Sequence, residues 1–143
     1  MKKYYAVIDT NVVVSSFLKT ESIPGKILEY CFNGTIVPIL NDDILNEYRD
    51  VLTRNEFGID EKMVDAFIEK IAKRAQTFIR TPADEDFVDF KDVVFYEIVL
   101  TARNYEIAYL VTGNKRHFPI KPFVVTPKEM SDIIEKDKEN AKK

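Results

Sequence analysis

The chain has 143 residues, a length suited to one domain, with 45% hydrophobic and 31% charged residues, so it reads as a folded rather than disordered protein. Its net charge of −3 excludes broad electrostatic binding of nucleic acid, although a local basic patch or a bound metal ion still permits contact with phosphates. A single cysteine, Cys31, excludes an internal disulfide and a zinc cluster, and the four glycines form neither a dinucleotide fingerprint nor a P-loop.

Tyr4 to Ile8 is a short aromatic and aliphatic run, predicted as a buried β-strand, and it stops at Asp9-Thr10-Asn11. Asp9 there serves equally well as the cap of the next helix or as a ligand at a strand end. The charged start reaches Asp9 too soon for a signal peptide, and no run is long and apolar enough for a membrane span, so a cytoplasmic domain is expected. A short helix is predicted over 11–18, then a loop, then a helix from Pro24 to Phe32 stopped by Asn33-Gly34. Thr35 to Leu40 is the second strand, with Pro38 suggesting a strand end or an edge.

Asn41 and Asp42 are candidate caps for a helix over 42–53 with the stripe Ile44, Leu45, Tyr48, Val51 and Leu52. Glu47 lies at the border of that stripe, where an acid either pairs with a solvated neighbour or reaches a crevice. Gly58 and Asp60 open a predicted helix to about Ile79, forming a helical hairpin with the preceding one. The loop from Thr81 to Phe90 is acidic, and Asp89 and Asp92 are both placed to cap the helix over 93–104. A buried strand over 108–112 ends in Gly113-Asn114, followed at once by Lys115-Arg116-His117. The last strand is expected over 123–126. Thr126-Pro127-Lys128-Glu129 is a capping box for a helix to about Glu135, leaving a domain over 1–136 and a charged, frayed tail over 137–143.

Strands alternating with helices predict an α/β fold with a mainly parallel sheet, whose strand carboxyl ends share one edge. That edge collects Asp9 and Asn114, and the flanking helices bring Glu47 and Asp92 within reach of it. Carboxylates gathered without lysine or arginine repel one another, and a hard cation such as Mg²⁺ or Mn²⁺ is the simplest stabilising partner. Such an ion activates water for attack on a phosphodiester. His117 is the only histidine, which excludes a ribonuclease working through paired imidazoles. A phosphotransferase of the haloacid dehalogenase type needs a second acid two residues after the first, and Asp9-Thr10-Asn11 lacks it.

Four blocks carry a resemblance. They are Val7-Ile8-Asp9-Thr10-Asn11, the run from Ile44 to Leu52 around Glu47, Asp92 with Phe95, and Leu110-Val111-Thr112-Gly113-Asn114. Together they resemble the PIN domain family, most closely its small toxin components of type II toxin–antitoxin systems, over Tyr4 to about Glu135. The resemblance implies a three-layer α/β/α sandwich and a Mg²⁺- or Mn²⁺-dependent ribonuclease acting on single-stranded RNA. By position, Asp9, Glu47 and Asp92 match the family's first three acids and metal ligands, with Thr10, Asn11 and Thr112 as supporting polar residues. Asn114 stands where the family commonly has a fourth acid, which implies a weaker second metal site, with Asp89, Glu97 and Asp132 as alternative donors. Lys115, Arg116 and His117 are candidates for RNA contact at the rim, or ordinary loop residues. The resemblance further implies an antitoxin protein as partner and a homodimer. The missing charge at Asn114 leaves open a second class of function, a module that binds RNA or a protein without cleaving.

Overall fold

The computed structural model describes residues 2–87 and 89–142; Met1, Lys143 of the expected tail and Val88 of the expected acidic loop lie outside the described residues. Five strands form one parallel sheet in the order β3-β2-β1-β4-β5. They are β1 (Tyr4–Ile8), β2 (Ile36–Leu40), β3 (Gln76–Thr77), β4 (Ala108–Val111) and β5 (Val124–Val125). Six α-helices are described: α1 (Thr10–Leu18), α2 (Ile23–Asn33), α3 (Asp42–Leu52), α4 (Glu61–Arg74), α5 (Val93–Ala102) and α6 (Pro127–Ala141).

Chain direction explains the layers. From β1 the sheet grows outward through β2 to β3, then the chain returns to the other side of β1 for β4 and β5. Right-handed crossovers in opposite directions put their helices on opposite faces. Accordingly α5, the crossover back, packs across β4, β1 and β2, while α2 packs on β2 beside α1 and α6. The sandwich and its parallel sheet match the fold expected from the sequence. The reversal of strand order falls between β1 and β4, whose carboxyl ends open onto one crevice.

Local chemistry sets the boundaries. Ser22 caps α2 by accepting from Gly25 N at 3.1 Å, with proline in its first turn, and Gly34 ends it at φ 88°. A Cβ on Gly25 would stand 2.0 Å from Thr20 O, so only glycine lets the preceding loop fold over this helix start. Asn41 accepts from Ile44 N at 2.9 Å to start α3, and Thr126 with Glu129 forms the expected capping box of α6.

Three expectations change. The helix predicted to run to Ile79 ends at Arg74, because Ala75 turns extended and Gln76–Thr77 pair with the free edge of β2. Pro38 does not mark a sheet edge, since β2 has β1 on one side and β3 on the other. Tyr4 N donates to Thr35 O and Phe78 N donates to Leu40 O, so alternate residues of β2 face β1 and β3. Pro38, in phase with Leu40, turns its nitrogen away from β1, and β3 begins too late to need a donor there. The last helix continues past Glu135 to Ala141, and Asp137 within it accepts from Tyr4 Oη at 2.6 Å and from Lys2 Nζ at 3.1 Å.

One buried contact ties the helical hairpin to the sheet. Tyr48 on α3 is fully buried, and its hydroxyl donates to Ile8 O at the end of β1. The bond fixes α3, and Glu47 with it, beside the residue that precedes Asp9. Tyr48→Phe strands a buried carbonyl, which costs about 1–3 kcal/mol. Denaturant unfolding should show that loss with an unchanged m-value; full retention of stability would show that the bond carries no weight.

Candidate active site

Asp9 caps α1 and faces the crevice at once. Its Oδ1 accepts from Thr10 N at 2.8 Å, and its Oδ2 accepts from the Thr112 hydroxyl at 2.7 Å. The side chain is 6% exposed, and burial is the main reason its pKa is pushed up from 3.8 to about 6. The Thr112 hydrogen bond opposes this shift and the charge of Asp92 adds to it. Thr112, itself fully buried, also accepts from Asn114 N at 3.0 Å, so one hydroxyl joins the end of β1 to the turn after β4. Asn11 supports the same turn by accepting from Gly113 N at 3.3 Å.

Asp92 closes a 3-10 turn (Phe90–Asp92) and precedes α5, yet its side chain makes no capping hydrogen bond. Asp89 caps the 3-10 turn instead, accepting from Lys91 N at 3.0 Å. Burial, followed by the charge of Asp89, raises the Asp92 pKa, with His117 opposing and Glu47 adding. His117 Nδ1 lies 3.2 Å from Asp92 Oδ2, in range for charge attraction but not aligned to donate. On its other side the ring takes the Asn114 amide nitrogen on Nε2 at 2.9 Å. With the amide donating, the ring proton sits on Nδ1, out of line with Asp92 Oδ2. His117 therefore spans the gap between the fourth motif position and the third acid.

The crevice encloses about 360 Å³. Asp9, Glu47, Asp92 and Asn114 line it together, as do Thr10, Asn11 and His117. Asp89 and Lys91 line it as well. Thr112 stays behind the wall and acts on it through Asp9. Lys115 and Arg116 are outside the lining, and Lys115 pairs with Glu129 at 3.1 Å. Of the alternative donors, only Asp89 reaches the crevice. Glu97 is buried elsewhere, held by Arg80 at 2.6 Å and Ala83 N at 2.8 Å, and Asp132 pairs with Lys128 at 2.7 Å. Lys91 was not singled out from the sequence; its position beside Asp92 was the only available signal.

Among the described residues, no three histidine, cysteine or acidic side chains stand in metal-holding geometry. Two buried side-chain oxygens, Thr10 Oγ1 and Asp92 Oδ2, have no hydrogen-bond partner among the described residues, and both residues line the crevice. Unpaired buried oxygens carry a desolvation cost that a cation or a donor entering the crevice can relieve.

A PIN domain family model matches residues 5–116 of this chain. The chain belongs to the PIN domain family. That span runs from β1 through the Asn114 turn and includes every residue of the crevice wall except His117. PIN domains are generally nucleases and typically use divalent metals, so membership points to nucleic acid as the class of substrate. No curated protein and no solved structure matched the chain. Among the described residues, no helix is long and apolar enough to cross a membrane.

The raised Asp9 pKa of this PIN domain has a definite consequence for stability. The folded form holds its proton up to about 6, the unfolded form only to about 3.8. Between those values the folded state binds more protons, so stability falls as pH rises through that window and stays lower above it. The full effect is on the order of 2–3 kcal/mol. Asp9→Asn removes the buried charge and keeps a hydrogen-bonding group. In metal-free buffer it should raise Tm at pH 7 and flatten the slope between pH 4 and 6. A Tm below that of the wild-type chain at pH 7 would contradict the assignment of strain to the charge.

Proposed function

We propose that this PIN domain is a metal-dependent endoribonuclease that cuts single-stranded RNA in the crevice between β1, β4 and α5. The observation that carries the proposal is the gathering of Asp9, Glu47, Asp89 and Asp92 around one hollow at the strand carboxyl ends. Two of these acids have raised pKa values. The donor set fits a hard divalent cation, since it is built of carboxylate oxygens with an unpartnered Asp92 Oδ2 and a nearby hydroxyl.

Asp9, Glu47 and Asp92 would hold Mg²⁺ or Mn²⁺, and Asn114 would complete the polar ring through its amide. The ion, when bound, neutralises charge on the scissile phosphate and acidifies water. The remaining work belongs to the chain. Thr112 and Thr10 N fix the Asp9 carboxylate so that both its oxygens keep their direction. Lys91 and His117 are the basic groups within the wall and meet the phosphate oxygens of the substrate. No covalent intermediate is required. The toxin role, with an antitoxin partner over the crevice and a homodimeric state, rests on the resemblance of the four motif blocks. Cytoplasmic residence goes with that role.

A second reading, a module that binds RNA without cutting it, draws on one observation. His117 stands against Asp92 and takes the Asn114 amide, so an uncharged contact fills the place of a fourth acid.

Cleavage of a fluorophore-quencher RNA by the purified chain separates the two. In Mn²⁺ the wild-type chain should cut it, EDTA should stop the reaction, and Asp9→Asn and Asp92→Asn should each lose ~10²-fold or more. Undiminished cutting by Asp9→Asn would overturn the nuclease site. Thermal stabilisation by Mn²⁺ with no cleavage of several RNAs would favour the binding module.

A further inference from the structure

Beside the crevice lies a smaller hollow of about 300 Å³, lined by Asp43, Glu47, Arg80, Phe90, Lys91 and Val94. It shares Glu47 and Lys91 with the crevice, so the two are adjacent. Phe90 is its aromatic wall. The side chain is 86% exposed, takes no part in the hydrophobic core, and meets no other ring among the described residues. It sits in the 3-10 turn that carries Asp92, two residues away.

An exposed phenyl ring adds nothing to packing and presents apolar surface to water. The cations beside it differ. Arg80 is held by Glu97 at 2.6 Å and lies 3.9 Å from Asp43. Lys91 has no ion pair among the described residues. The hollow thus offers an exposed aromatic side chain, with Lys91, unpaired among the described residues, lining both the hollow and the crevice. An aromatic platform beside a free cation is the means by which proteins hold an unstacked nucleotide, the ring taking the base and the cation the phosphate. A duplex cannot use it, because its bases are already stacked and paired.

We propose that Phe90 and Lys91 form a nucleobase subsite next to the crevice. One base of a single-stranded RNA stacks on Phe90 while Lys91 meets a backbone phosphate. Stacking tolerates any base, so the subsite selects for an unpaired nucleotide and not for a sequence. The proposal takes from the nuclease reading only that the RNA in the crevice is a substrate; the binding itself does not depend on cleavage.

The test uses the full chain and a single-stranded RNA carrying 2-aminopurine, titrated in EDTA, with cleavage followed separately in Mn²⁺. Phe90→Ala should weaken binding about tenfold or more and lose the change in 2-aminopurine emission, and should raise KM in the cleavage assay. Phe90→Tyr should restore both. Lys91→Gln should weaken binding and lower the salt dependence by about one phosphate contact. A matched duplex should bind the wild-type and Phe90→Ala chains alike. Binding by Phe90→Ala within twofold of wild type overturns the subsite, as does an equal loss on duplex, or no binding by the wild-type chain. If RNA is still cut in the first of these cases, the nuclease reading stands without the subsite. Binding that depends on Phe90 with no cleavage leaves the subsite and removes the nuclease reading.

Discussion

The hydrogen bond from Thr112 to Asp9 is the contact on which this crevice depends. It joins the ends of the two strands between which the strand order reverses. The same hydroxyl accepts from Asn114 N, and Asn11 accepts from Gly113 N, so the two turns hold each other in place. On the opposite flank the Tyr48 hydroxyl reaches Ile8 O, one residue before Asp9, and brings α3 to the same point. Three separate elements are thereby referenced to one strand end. Asp9 and Glu47 line one crevice because the elements that carry them meet at this strand end.

That convergence works against the stability of the fold. Asp9 is almost wholly buried and its charge is disfavoured, while Asp92 is raised by burial and by Asp89. A core built only for stability would pair such groups with arginine or replace them with apolar side chains. Here the nearest basic group to Asp92 is His117, whose ring is held from behind by Asn114. Stored electrostatic strain of this kind is common at sites that await a charged ligand, although structural networks produce it as well. The two unpartnered oxygens, on Thr10 and Asp92, point to the same conclusion from hydrogen bonding rather than from charge.

The chain as a whole is acidic, and its crevice more so. A nucleic acid would be repelled from such a surface unless cations line its approach. Lys91 and His117 provide positive or protonatable groups in the wall itself, and exposed Phe90 would add an uncharged source of affinity that salt does not screen. RNA binding here would draw on local contacts near Asp92 more than on the field of the whole molecule.

The amino-acid sequence alone determined the α/β class, most element boundaries and the positions of Asp9, Glu47, Asp92 and Asn114, all four of which line one crevice. The class and boundaries follow from short-range rules, namely period-two and helical apolar patterns and caps. Asp9 and Asn114 stand just past strand ends, and Glu47 and Asp92, on flanking helices, are matched through the motif resemblance. Only the tertiary structure decided the rest. Gln76–Thr77 became a strand because β2 offered a free edge, although the helical pattern of apolar residues runs on to Ala75 and Phe78. Asp89 entered the crevice while Glu97 and Asp132 did not, a choice among acids that spacing left open. His117 turned inward to bridge Asn114 and Asp92, while Lys115 turned away to Glu129. Adjacent residues in a tight turn point in different directions, and which of them meets the site is set by partners distant in the chain.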